Sequence, residues 1–214
     1  MPARKWEPSE LARRAEVGRF GQERNDVHAV TLQQAFRADP LFEWVYGDRS
    51  VEQQARFWRL VLDGSAIGTE VHATQTSDAV GIWVPPVGSV PAPPPDDADE
   101  SGESSGPSVR DQLGEVLGPR SAEIFELFGA MYGARPEEPH WYLQALGTRP
   151  ERQGQGWGSR VLAPMLDRCD RLGIPAYLES SNPQNHAFYH RVGFVDIGEV
   201  SVPGAPTLMR MERK

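Results

Sequence analysis

Apolar residues along this chain recur at two spacings, and the two alternate. A helical period is set by Ala29, Leu32 and Phe36, behind Asp26 as a capping residue, and the pair Asp39-Pro40 is expected to end that helix. Ala55, Trp58 and Leu62 mark a second helix over 51–64, and the stripes Val109, Leu113, Val116 and Ile124, Leu127, Met131 mark two more. Residues 16–21 read as a strand. Residues 71–74 and 79–84 flank the turn-like Thr76-Ser77-Asp78 and read as a hairpin. Further on, HWYLQALGT (140–148) reads as a buried strand. Gly158, Leu162, Met165, Cys169 and Leu172 then form one helical stripe that Gly173 ends, and a short strand follows at 175–179. Strand, glycine turn, helix and strand make a βαβ unit, whose strands are expected to run parallel. Pro164 inside the helix predicts a kink.

The pattern lapses in two places. Residues 1–14 are polar and read as a flexible lead. Residues 86–108, including VPAPPPDDADESGESSGPS, offer almost nothing to bury and read as a mobile surface loop rather than a domain boundary. Residues 15–214 are therefore expected to form one domain, a size that 214 residues with 39% hydrophobic content can support.

Charge narrows the partners. A net charge of −8 and a pI near 5.2 argue against nucleic acid, since phosphate backbones need clustered positive charge. A cationic small molecule fits better. The single cysteine, Cys169, forbids an internal disulfide, and no apolar run has the length of a membrane span or a secretory signal. A cytoplasmic protein, monomer or homodimer, is the expectation.

The candidate chemistry centres on RQGQGWGS (152–159), where glycines stand at every second position before a helix. Glycine there lets a ligand come close to backbone N–H groups at the helix's positive end. A P-loop is excluded, because no Gly-Lys-Ser/Thr closes the turn and the only lysines are Lys5 and Lys214. The spacing of Gly154, Gly156 and Gly158 also departs from the dinucleotide fingerprint, although Glu179 lies at a suitable distance for a ribose.

The remaining pattern is Q-x-x-G-x-G, matched by Gln153, Gly156 and Gly158. Downstream, SNPQNHAFYHRVGF (181–194) carries an Asn, a Tyr and then Gly-Phe. In this order the two motifs resemble the acetyl-CoA signatures of the GCN5-related N-acetyltransferase (GNAT) superfamily. Within it, residues 135–164 and 173–194 are similar to the puromycin N-acetyltransferases. The resemblance implies an α/β (α+β) fold with a mixed, mostly antiparallel central sheet flanked by helices and splayed at the acetyl-CoA site. It implies acetyl-CoA as co-substrate, held by Gln153, Gly154, Gln155, Gly156, Trp157, Gly158 and Ser159, with Leu146, Gly147 and Thr148 alongside the pantetheine and Asn182 or Asn185 near it. It implies transfer to a small-molecule amine such as puromycin or a related aminonucleoside, without a covalent acyl-enzyme. The alternatives are a peptide or protein N-terminal acetyltransferase, or a non-catalytic acyl-CoA-binding module.

Tyr189 is then the candidate general acid, because a phenol and a departing thiolate are of comparable basicity. Glu179 is the candidate base, acting through water, though a carboxylate at a strand end can equally be satisfied by the following N–H groups. Glu43 and His140 are alternatives. Glu43 and Trp44 are placed on the acceptor side, Trp44 also being a core candidate. His186 and His190 share a helix face, but with Ala187 between them and no third ligand they are expected to hold no metal. Cys169 falls on the apolar stripe and reads as inert core.

Overall fold

A computed structural model describes residues 17–65, 67–87 and 107–214. The lead at 1–14 and nearly all of the loop at 86–108 lie outside the described residues. The first strand, β1 (Val17–Phe20), is followed by helices α1 (Asn25–Phe36), α2 (Pro40–Tyr46) and α3 (Val51–Asp63). A hairpin of β2 (Glu70–Thr74) and β3 (Ala79–Val84) comes next, then α4 (Val109–Leu117) and α5 (Ser121–Gly133). The C-terminal part contains β4 (Trp141–Thr148), α6 (Trp157–Leu172), β5 (Ala176–Ser180), α7 (Pro183–Arg191), β6 (Val195–Val200) and β7 (Leu208–Arg213).

Local chemistry sets several boundaries differently from the sequence pattern. Asp26 does not cap α1. Arg24 stands at its N-cap behind a single 3-10 turn, and Asp26 lies in the first turn, paired with Arg59. Asp39-Pro40 does not end α1, which stops at Phe36, but starts α2. The Asp39 carboxylate accepts from Leu41 N at 3.0 Å, and Pro40 sits in the first turn, where its missing N–H costs no bond. Ser50 and Gln53 form a reciprocal capping box on α3. Helix α6 runs through Pro164 and ends at Gly173 in a left-handed conformation, φ 63°.

The seven strands form one sheet in the order β1-β2-β3-β4-β5-β7-β6. Every neighbouring pair is antiparallel except β4 and β5. That parallel pair is short: Trp141 faces Ala176 and Tyr142 faces Tyr177, and the strands then separate. The cause lies in β4. Trp83 pairs with Leu143 and Ile82 with Ala145, so Gln144 is an extra residue, a β-bulge that bends the strand. The bulge also reverses the facing of side chains. Trp141 and Leu143 pack on one side of the sheet, while Ala145, which strict alternation would place beside them, packs on the other.

Two hydrophobic clusters result. The larger joins α1–α5 to one face of the sheet through Leu32, Val45, Phe57, Ile82, Leu117 and Leu127. The smaller lies on the opposite face, where Leu162, Met165 and Cys169 of α6 meet Trp83, Leu143 and Leu178. Burial pushes the Cys169 thiol up to about 11, so it packs as a neutral apolar group.

Candidate active site

The glycine turn uses its glycines for two different reasons. Gly154 and Gly156 have φ of 72° and 80°, a left-handed conformation that an L side chain resists, and a Cβ on either would meet nothing within 4 Å. Gly158 lies inside the first turn of α6, and its Cβ would touch the Phe188 ring at 3.4 Å. Intrahelical bonding begins with Arg160 N to Gly156 O at 3.2 Å. The preceding N–H groups of Trp157, Gly158 and Ser159 therefore have no helical carbonyl and carry the helix's positive end. Each of α1–α5 has an acidic residue in its first turn. This helix has none, and no side chain caps it. Such an end can receive an anion, and α7, which also lacks an acidic residue in its first turn, differs in being capped by Asn182.

A groove of about 530 Å³ runs along this turn. Its walls include Leu146, Gly147, Thr148, Gln153, Gly154, Gly156, Trp157, Gly158, Ser159, Asn182 and Asn185, all but one of the residues expected to hold acetyl-CoA. Gln155 is the exception. Its side chain donates to Glu151 O at 3.1 Å and braces the turn. Gln153 donates in the same way to Thr148 O at 3.1 Å while still bordering the groove, and Asn182 caps α7 by accepting from Gln184 N at 3.0 Å. Arg152 and Arg191 also line the groove, positive groups that the motif alone did not single out. Arg152 opens RQGQGWGS, where its charge beside an anion-binding turn was the available signal.

On the other side of the splay lies a cavity of about 450 Å³. Its wall is largely aromatic and apolar, from Phe36, Phe42, Phe57, Trp58, Phe128 and Met131, with Glu179 and Asp39 among the polar groups. Tyr189 borders both cavity and groove, as do Phe36, Asp39, Leu146 and Asn185.

The electrostatics of these groups follow from burial. The Glu179 carboxylate lies among the Tyr142 and Tyr177 hydroxyls, with Arg135 and Arg210 further off. Desolvation raises its pKa above the usual carboxylate range, with the Tyr177 and Tyr142 hydroxyls and the Arg135 and Arg210 charges pulling the other way. Tyr189 is 8% exposed, and burial together with the Asp39 charge raises its pKa, so the phenol keeps its proton. Asp39 is raised too, first by burial and against its bonds from Ser181, Leu41 and Phe42.

Three other expected residues stand elsewhere. Trp44 is half-buried under the Arg120 guanidinium, 4.5 Å from its ring centroid, and Glu43 is exposed; neither lines the cavity. Phe36, Phe42 and Trp58 supply the aromatic wall instead. His140 turns its ring toward Glu138 O at 2.8 Å and packs edge-on against Tyr177, away from Tyr189. His190 pairs with Asp196 at 2.8 Å, and no group of three metal-ligating side chains occurs among the described residues. Nor is any helix there long and apolar enough to cross a membrane.

Comparison with known proteins agrees with this geometry. The model of the Acetyltransferase (GNAT) family matches residues 92–194, which contain the glycine turn and Tyr189. An uncharacterized N-acetyltransferase of Schizosaccharomyces pombe is 37% identical over 59 residues, 28% of this chain and 24% of that protein. The match thus spans about a quarter of that relative's length. Among solved structures, a histone acetyltransferase HPA2 and related acetyltransferase of Corynebacterium glutamicum superposes with a TM-score of 0.65 at 19% identity, covering 92% of this chain and 94% of that one. Arylalkylamine N-acetyltransferase 2 of Aedes aegypti superposes with a TM-score of 0.55 at 12% identity, covering 92% and 97%. The fold is that of the GNAT acetyltransferases, and the family match together with the N-acetyltransferase relative supports an N-acetyltransferase.

Proposed function

We propose that this chain transfers the acetyl group of acetyl-CoA directly to the nitrogen of a small-molecule amine. The observation that carries the reading is the position of Tyr189 at the junction of the groove and the aromatic cavity. The pyrophosphate of acetyl-CoA lies on the N–H groups of Trp157, Gly158 and Ser159, near Arg152 and Arg191. The pantetheine follows β4 where β5 has separated from it, which brings the thioester toward Tyr189. The amine approaches from the cavity, and Glu179 takes its proton through water. Nitrogen bonds to the carbonyl carbon, the carbon–sulfur bond breaks, and Tyr189 gives its proton to the departing thiolate. Burial suits Glu179 to taking a proton and fixes Tyr189 as a donor, with its phenol less acidic than an exposed one. Glu179 holds a proton more readily than an exposed carboxylate, and Tyr189 stays protonated until a thiolate forms. Cys169 is buried in the α6 cluster and takes no part.

The finer reading is an amine carried on a planar apolar body, puromycin or a related aminonucleoside included, handled in the cytoplasm. It is supported by the aromatic wall and by the likeness of residues 135–164 and 173–194 to the puromycin N-acetyltransferases. The test is release of free CoA thiol, with a mass gain of one acetyl group on the acceptor, across aminonucleosides, arylalkylamines, polyamines and short peptides. Tyr189→Phe should lower turnover by about ten- to a thousand-fold with acetyl-CoA binding retained. Acetylation of peptides alone would remove the small-molecule reading. Release with arylalkylamines but not puromycin would remove only the antibiotic.

A further inference from the structure

Carboxylates withdrawn from water show how this chain treats internal negative charge, and Asp78, 8% exposed, has Arg152 at 3.4 Å. Glu70, 7% exposed, is neutralised by Arg168 of α6 at 2.9 Å and Arg19 of β1 at 3.3 Å, with the His72 ring of its own strand at 3.0 Å. Glu179 has Arg135 and Arg210 within electrostatic reach. Asp39, 8% exposed, has no basic side chain paired with it among the described residues. Its neighbours are the Ser181 hydroxyl, which donates to Oδ1 at 2.6 Å, the N–H groups of Leu41 and Phe42, and the like charge of Glu43. A buried carboxylate without a counter-charge is costly, and removing such a cost is what a bound cation does.

The surroundings identify that cation. Asp39 lies on the wall of both the acetyl-CoA groove and the aromatic cavity, and Phe36, Phe42 and Trp58 line the cavity with it. Aromatic rings that line a cavity together with a carboxylate suit an ammonium group carried on an apolar body. We propose that Asp39, held in place by Ser181, anchors the ammonium group of the acceptor at the junction of the two cavities, and so selects cationic amines with an apolar body. This rests on the acetyl-transfer reading and gives Asp39 a role distinct from that of Glu179. Asp39 holds the charged amine as it arrives, Glu179 accepts through water the proton whose loss frees the nitrogen lone pair, and the second proton, released once nitrogen has bonded to carbon, replaces the one that Tyr189 gives to the thiolate.

Calorimetric titration of the CoA-saturated protein tests this with 2-phenylethylamine and its uncharged analogue 2-phenylethanol. The wild-type protein should bind the amine at least about ten-fold more tightly than the alcohol, the scale of one close charge pair. Asp39→Asn keeps an N-cap residue on α2 and should fold. It should lose the preference while binding the alcohol and acetyl-CoA within about two-fold of wild type. Ser181→Ala leaves the charge and removes the hydroxyl, and should weaken the amine several-fold without affecting the alcohol. An Asp39→Asn protein that keeps the preference, or a wild-type protein that shows none or binds neither probe, overturns the assignment. Those results leave acetyl transfer standing if CoA is released with other acceptors. Absence of CoA release with every acceptor overturns the activity itself, whatever the titrations show.

Discussion

Gly147 of β4 lies so close to Ala35 of α1 that a Cβ on the glycine would stand 2.8 Å from the alanine Cβ. Leu32 and Phe36 of the same helix would be 3.1 and 3.5 Å away. Contact at this range forces α1 to move. Gly147→Val should destabilise the protein by about 1–3 kcal/mol in urea denaturation, the usual cost of overpacking. Gly147→Ala should be milder, and Ala35→Gly in the same chain should recover part of its loss. Equal stability of wild type and Gly147→Val would show that α1 does not rest on β4.

The glycine turn separates conformation from access. Gly156→Ala must hold an L side chain at φ 80°, which costs roughly 1 kcal/mol, whereas Gly158→Ala adds a methyl in ordinary contact with Phe188 and should unfold at nearly the wild-type denaturant concentration. Both should weaken acetyl-CoA, because both add bulk beside the N–H groups that receive the phosphates. Titration of the folded variants checks this, and unimpaired binding by both would remove the pyrophosphate assignment.

Glu179 should make the protein less stable as the pH rises. Its folded pKa is raised by burial, so the folded state binds the proton more tightly than the unfolded chain does. Stability is then greatest below the unfolded value, about 4.3, and is lost as the pH climbs through the folded one. Glu179→Gln should melt higher than wild type at neutral pH and lose that advantage in acid, while turnover falls. A lower melting temperature at neutral pH would show that the ionised carboxylate is stabilised by groups beyond the two tyrosines and two arginines around it.

His28 works in the opposite direction. It is fully buried in α1, both ring nitrogens lack partners, and burial together with Arg24 lowers its pKa to about 4. As the pH falls below about 6.5, the unfolded chain takes up a proton that the folded ring refuses until about 4. Stability on the order of 3 kcal/mol should be lost across that window. His28→Leu should flatten most of the slope in urea denaturation at a series of pH values, leaving the smaller contribution of His72, which burial shifts the same way. An unchanged slope would assign the acid sensitivity to other groups.

Periodicity made helices α1, α3, α4, α5 and α6 and the βαβ unit legible, and the glycine turn pointed to the groove in which acetyl-CoA is proposed to bind. It could not show the bulge at Gln144, because one inserted residue leaves HWYLQALGT looking like an unbroken buried strand. Nor did it show β6 and β7. VDIGEV is mostly exposed, with a glycine at a register shift against β7, so its strand character comes from pairing rather than from its own alternation. Asp39 was visible only as a helix breaker. Its link to Ser181 spans 142 positions, a distance that no local pattern crosses.

The two core clusters have an evolutionary consequence. The aromatic wall proposed to face the acceptor comes mainly from α1–α5 and belongs with the larger cluster, whereas α6 and Tyr189 of α7 belong to the smaller one across the sheet. Substitutions at Phe42, Phe57 or Trp58 should be absorbed on one face of the sheet, and the proposed acetyl-CoA groove is anchored largely on the other. Lineages descending from such a chain can change the amine they accept while inheriting the donor site intact. Relatives should accordingly diverge fastest in the helices before residue 134, with Phe36 and Asp39, which serve both cavities, changing least among them.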